Sequence, residues 1–160
     1  MRGGSLPPAL LCLALACALA FAPRRALLPS LIALVVAAVL AFLLKVGSPW
    51  IEAVFLGCWI SAVLIAATVH LPRGLPVWGA VAAGLLAGAF CGAVTAVAGA
   101  PRDLAIALPV ALLALPARWL AKGRAAIAIK VLGSWLIAVS ILAGAVPVTP
   151  TPGYAPDHME

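Results

Sequence analysis

Residues 75–100 read LPVWGAVAAGLLAGAFCGAVTAVAGA, 26 residues without a charge. As one helix they would extend about 39 Å at about 1.5 Å per residue, enough to cross the roughly 30 Å hydrocarbon core of a bilayer. Ala80, Gly84, Gly88, Gly92, Ala96 and Ala100 recur at every fourth position. Gly84-x-x-x-Gly88-x-x-x-Gly92 doubles the spacing that lets two helix backbones approach closely in lipid. Fourteen of the 26 residues are Ala or Gly, so part of this pattern is composition. Three glycines in strict register still predict a groove almost free of side chains. Lipid offers no hydrophobic drive for helix association, so van der Waals contact along such a groove is a main source of it. The stretch reads as a membrane-crossing helix with a packing face, its partner either another span of this chain or a second copy.

The rest of the chain has the same character. Of 160 residues, 66% are hydrophobic and 9% charged, and the mean hydropathy is +1.25. An ordinary soluble domain carries about a quarter charged residues and roughly half apolar ones. A 16.1 kDa globule could not hide this much apolar surface. A soluble enzyme, a nucleic-acid module and a disordered chain are therefore excluded. The net charge of +6 does not restore nucleic acid as a partner. Its ten basic residues are scattered as singlets and pairs between apolar runs, the distribution of topology determinants. The first partner is the lipid bilayer.

Cutting at prolines, glycines and charges predicts an all-α, polytopic helical bundle of six spans: 6–22, 26–44, 50–71, 75–100, 104–120 and 131–149, with a short polar tail at 150–160. Pro23-Arg24-Arg25, Pro72-Arg73-Gly74 and Pro101-Arg102-Asp103 repeat one corner theme, in which proline ends a helix and arginine sits at the headgroups. Arg24, Arg25, Trp50, Arg73, Trp119 and Lys130 are the expected interface anchors. Such short loops predict antiparallel neighbours in one domain. The fifth candidate is short and interrupted by Pro109 and Pro116, so it either spans or re-enters, leaving five spans in the second case. The bases and apolar residues from Arg118 to Lys130 predict a stretch lying in the interface plane beside anionic lipid.

With six spans, one side holds Arg2, Lys45 and Arg102. The other holds Arg24, Arg25, Arg73, Arg118, Lys122, Arg124 and Lys130. The positive-inside rule puts the second side in the cytoplasm and both termini outside. Compactness and short loops suit the inner (plasma) membrane of a bacterial-type cell. The first segment also resembles a signal peptide ending Ala20-Phe21-Ala22. Cleavage there would leave Pro23 first and put Arg24 and Arg25 outside, which argues against it.

Two markers suggest an inverted 3+3 repeat. Ala22-Pro23-Arg24-Arg25 matches Ala100-Pro101-Arg102-Asp103, and Lys45-Val46-Gly47-Ser48-Pro49-Trp50 matches Lys130-Val131-Leu132-Gly133-Ser134-Trp135. Inverted repeats are a recurrent plan of secondary transporters. The plain alternative is chance matching in a chain rich in Ala, Leu and Val.

Few residues could carry chemistry. Glu52 is the single acid inside a span, and intramembrane acids often serve as proton or ion sites. It lies in the first turn of its helix, where a carboxylate also suits the positive helix end. Its expected neighbours are Lys45 and Arg102, and Lys130 should be out of reach on the opposite face. His70 reads as an interfacial polar residue. Cys12, Cys17, Cys58 and Cys91 fall in apolar runs without Cys-x-x-Cys spacing and read as small buried hydrophobes. Ser61, Thr68, Thr95 and Ser140 are expected to return hydrogen bonds to helix carbonyls. Asp157, His158, Met159 and Glu160 are adjacent in the tail, a poor geometry for wrapping one ion. There is no hydrolase elbow, phosphate loop or His-Glu-x-x-His. The sequence thus predicts no catalytic residues, no metal and no cofactor. It predicts an accessory or structural subunit held to another membrane protein, or to a second copy, by Ala80, Gly84, Gly88, Gly92 and Ala96. The alternative is a minimal transporter or channel, dimeric and built as an inverted repeat, with Glu52 near the pathway.

Overall fold

The computed structural model describes residues 6–44, 48–123 and 125–146. The elements are α1 (Leu6–Ala20), α2 (Arg24–Leu43), α3 (Ile51–Ala67) prolonged by a 3₁₀ turn at Thr68–His70, and α4 (Val77–Ala98). Then come α5 (Pro101–Ala107), a 3₁₀ stretch at Leu108–Leu113, α6 (Ala114–Leu120) and α7 (Ala126–Ala145). The described residues contain no strand. Five helical runs, 24–43, 51–70, 77–98, 101–120 and 126–145, are long and apolar enough to cross a membrane. The protein is an all-helical, multi-pass membrane bundle.

Proline positions the helix starts. Pro23 and Pro76 hold extended backbone just before α2 and α4, and Pro101 is the first residue of α5, where its missing N–H costs nothing. Asp103 Oδ2 accepts the Ala100 N–H at 2.8 Å, closing that helix start. Gly74 takes φ +65° in the α3–α4 corner and sits against the Phe21 carbonyl at the α1–α2 corner. A side chain there would meet backbone oxygen.

The first segment, for all its likeness to a signal peptide, is the centre of the bundle. Leu11, Cys12, Ala14, Leu15 and Leu19 are fully buried, on several faces of one helix, as expected of a helix that is apolar all round. It packs on α3, α4, the 101–120 crossing and α7. At 15 residues it is about 22 Å long, shorter than the bilayer core. Arg118 closes its end: Nη1 donates to Leu19 O at 3.1 Å and Ala22 O at 2.8 Å. A guanidinium on the last carbonyls of a helix satisfies groups that otherwise lack partners and opposes the negative dipole end.

The fifth segment, which in sequence either spans or re-enters, is one helical run from Pro101 to Leu120, long and apolar enough to cross, and it brings Arg118 to the far end of α1. Pro109 removes the N–H that would bond the Ala105 carbonyl, and the chain answers with six residues of 3₁₀ helix. Because a 3₁₀ helix rises about 2.0 Å per residue, the 20 residues reach about 33 Å. The last helix begins at Ala126, five residues before the expected 131. The Ala–Ile run simply continues it, so Lys130 lies within α7 and the interfacial stretch shrinks to a short turn. Finally, the most extensive helix pair is parallel. Ser30, Leu34 and Ala38 of α2 meet Gly84, Gly88 and Gly92 of α4 in ascending order, with α3 as the crossover.

The inverted repeat is not displayed by the packing. α1 packs along α3, but α4 makes no comparable contact with α7. Trp50 directly precedes α3, whereas Gly133-Ser134-Trp135 lies in the middle of α7. The matched markers therefore occupy unlike places.

Candidate functional site

The groove on α4 is built by alternating sizes. Ala80, Gly84, Gly88 and Gly92 are buried on one face, and the α2 backbone enters the space where their side chains would be. A Cβ on Gly84 would strike the Ser30 carbonyl, one on Gly88 the Leu34 carbonyl, and one on Gly92 the Ala38 carbonyl. Glycine Cα–H groups therefore face three successive turns of α2 carbonyls, an arrangement in which weak Cα–H···O contacts recur. Ala37 and Ala41 flank the same seam, their Cβ atoms 2.9 Å from where a methyl on Gly88 or Gly92 would stand. Ser30, fully buried, locks it: its Oγ donates to the Ala80 carbonyl at 2.7 Å. Ala96 is only half-buried, beyond the seam. The row is thus occupied within this chain by α2, which has no other extensive contact.

α2 carries a matching row that the sequence analysis does not single out. Ala26, Ser30, Leu34 and Ala38 repeat at four-residue spacing and are all buried, with Ala33, Ala37 and Ala41 beside them. That spacing is the signal by which the row could be found.

The described charged residues separate into two ends. Arg24, Arg25, Arg73 and Lys130 are exposed. The Arg118 bonds to α1 and the Gly74 contact with Phe21 bring the corners carrying Arg24, Arg25, Arg73 and Arg118 to one end of the bundle. Trp78 and Trp119, 85% and 81% exposed, stand at that same end as a pair of which only Trp119 is among the expected anchors. Arg102, Asp103, Trp50 and Glu52 belong to the opposite end. Glu52 is exposed in the first turn of α3, on the outside of the bundle. Lys45, Arg2, Arg124 and the 150–160 tail lie outside the described residues.

His70 Nε2 lies 3.3 Å from Ser134 Oγ, joining the end of α3 to α7. Ser134 has one proton, and its Oγ also lies 3.1 Å from the Lys130 carbonyl that can take it. The pair is consistent with His70 donating through Nε2.

Among the described residues four polar side chains are buried, Ser30, Ser61, Thr95 and Ser140. Ser61 bonds Gly57 O at 2.7 Å, Thr95 bonds Cys91 O at 2.7 Å, and the half-buried Thr68 bonds Ile65 O at 2.6 Å. Ser140 departs from expectation: its hydroxyl is buried between α3 and α7 with no partner among the described residues. A Cβ on Gly144, one turn away, would stand 3.3 Å from Trp59 Cβ, and Ser140, Gly144 and Trp59 line an apolar crevice between α3 and α7. All four cysteines are buried and free. Cys12 and Cys91 nevertheless meet, Sγ to Sγ at 3.7 Å, and the Cys91 thiol lies 3.5 Å from the Pro8 carbonyl. No group of three potential metal ligands gathers among the described residues.

Comparison with protein-family models, with curated proteins and with solved structures returns no match. The functional reading rests on the geometry alone.

Proposed function

We propose that this protein is a non-catalytic membrane subunit, structural or accessory, that works through helix packing with a larger membrane protein or a second copy of itself. One observation carries the reading. The axis of the bundle is filled by α1, whose Leu11, Leu15 and Leu19 are fully buried. A pathway for ions or polar solutes needs polar side chains facing a path. Here three of the four buried hydroxyls are already committed to backbone carbonyls. Glu52, the acid that a transport mechanism would use, is on the surface.

The packing face assigned to a partner shifts accordingly. The glycine row of α4 is taken by α2, so association falls to the lipid-facing sides of the other helices. By the positive-inside rule the end bearing Arg24, Arg25, Arg73, Arg118 and Lys122 faces the cytoplasm, with the termini on the other side of an inner membrane.

The test is purification in a mild detergent with mass spectrometry of what accompanies the chain. A stoichiometric membrane partner, or a discrete homo-oligomer, is the expected result. Proteoliposomes of the pure protein should carry no flux. A flux abolished by Glu52→Gln would overturn the proposal in favour of a minimal transporter.

A further inference from the structure

Two thiols far apart in the chain meet inside the bundle. Cys12 of α1 and Cys91 of α4, separated by 79 positions, are both fully buried, with Sγ to Sγ at 3.7 Å. Cys91 shares its side of α4 with the buried Ala87 and Val94, beside the glycine row that α2 occupies. Its thiol also lies 3.5 Å from the carbonyl of Pro8, one turn before Cys12. The pair stands six residues after the start of α1 and seven before the end of α4. At about 1.5 Å per residue that is about 10 Å in from the bundle end carrying Arg102 and Asp103. Both sulfurs are therefore within the hydrocarbon span.

The chemistry open to such a pair is narrow. A soft metal would need two thiolates, and charge is costly in an apolar interior. No third potential ligand gathers beside them among the described residues. Exchange with a water-soluble disulfide requires a thiolate in contact with it, and neither sulfur is exposed. A disulfide, by contrast, carries no charge before or after it forms. The two sulfurs already touch, so a rotation about χ1 brings them toward bonding distance.

We infer that Cys12 and Cys91, present in this structure as free thiols, are a redox-active pair that a lipid-soluble quinone closes to a disulfide joining α1 to α4. Two S–H bonds break and one S–S bond forms. Two electrons and two protons pass to the quinone, whose two carbonyls become the hydroxyls of the quinol. The acceptor class follows from the place: the pair is closed to water, so its oxidant must dissolve in hydrocarbon and take two electrons. The bond forms once per chain, so it modifies the protein and turns over nothing.

Its consequence is mechanical. Arg118 ties the far end of α1 through the Leu19 and Ala22 carbonyls. The disulfide ties the near end to α4, the same helix whose glycines hold α2. Oxidation thus converts α1, α2 and α4 from a packed group into a clamped one.

The experiment uses the full chain, reduced, in liposomes. It is treated with decylubiquinone, whose ring is fully substituted and so closed to thiol addition, or with oxidised glutathione, which stays in water. Thiols are counted by maleimide labelling in sodium dodecyl sulfate, and the link is located by peptide mass mapping. The quinone should lower the free thiols from four to two, link Cys12 to Cys91 and yield one quinol per chain. Oxidised glutathione should leave all four free. The melting temperature should rise by about 5 °C or more, as for a disulfide closing a long loop. Cys12→Ala or Cys91→Ala should abolish quinol formation. The double variant Cys17→Ala with Cys58→Ala leaves the pair in place and should still yield one quinol. Four free thiols after quinone, a link through Cys17 or Cys58, or equal oxidation by glutathione would each overturn the assignment. A bond that forms without raising the melting temperature would overturn the clamp.

Discussion

Gly88→Ala tests the seam on which α2 depends. The added methyl would collide with the Leu34 carbonyl, with Ala37 Cβ 2.9 Å and Ala38 N 3.0 Å away. These are backbone and near-backbone atoms, so no side chain can swing aside and the helices must part. A gap of about 0.5–1 Å forfeits a quarter to a half of each van der Waals contact. Three glycine Cα–H contacts at about 0.5–1 kcal/mol each are weakened together. The Ser30–Ala80 hydrogen bond, in a class averaging about 0.6 kcal/mol in membranes, is strained with them. The expected cost is about 1–3 kcal/mol, the range for a methyl forced into a packed interface, and it falls on one helix, because α2 has no second extensive contact to hold it. Reversible unfolding in mixed micelles should show the loss, with helix content unchanged. Spin labels at the exposed Val36 and Leu85 should report a longer and broader distance. The native cysteines are buried and so shielded from the label. Gly123→Ala is the control, since nothing stands within 4 Å of that Cβ. If Gly88→Ala unfolds within about 0.5 kcal/mol of the wild type and the label distance is unmoved, the seam is not what holds α2.

Other perturbations probe the corners and the core. Arg118→Gln should lower stability in the same micelle titration by about 1.5–3 kcal/mol, the range for hydrogen bonds to a charged group, with Arg118→Lys recovering part; equal stability of all three would mean that the α1 carbonyls find other partners. Gly74→Ala combines a left-handed φ of +65° with a methyl against the Phe21 carbonyl and should cost more than about 1 kcal/mol; a neutral result would mean that this corner is not fixed as described. Iodine treatment of membranes should join Cys12 to Cys91, the two thiols giving up their protons and two electrons as iodine leaves as iodide. Peptide mass mapping that instead links Cys17 to Cys58 would mean that α1 packs in another register.

What the sequence makes legible and what it hides have one physical cause. Crossing segments are readable because a charge is costly in lipid and a proline suits the first position of a helix, so Arg24, Arg73 and Pro101 announce the corners. The fifth crossing is ambiguous in sequence because its prolines are penalties against a regular α-helix, and the 3₁₀ stretch at Leu108–Leu113 converts that defect into added length. The start of α7 is hidden for a related reason. Lys130 reads as a boundary, but a lysine within the first turns of a helix can extend its ammonium to the headgroups while its stem stays in lipid.

Partner choice inside the bundle is hidden because lipid and protein interior are equally apolar. In a soluble helix the buried face is the apolar one; here both faces are, and the discriminating quantity is size. The buried side of α2 carries Ala26, Ser30, Ala33 and Ala38 with one large residue, Leu34, and its outer side Leu28, Ile32, Val36 and Val39. The smaller residues point inward, the reverse of an intuition formed on soluble cores. Read by size, the four-residue rows on α2 and α4 are two halves of one seam, and the glycines that look like an invitation to a partner are already answered within the chain. α1 escapes even this rule: it is buried on nearly every side, so no face differs from another and no pattern can mark it. Its central place follows from an interaction 99 residues away in sequence, the Arg118 guanidinium on the Leu19 carbonyl. The strongest clue to the middle of this membrane protein is thus one of its ten scarce basic residues.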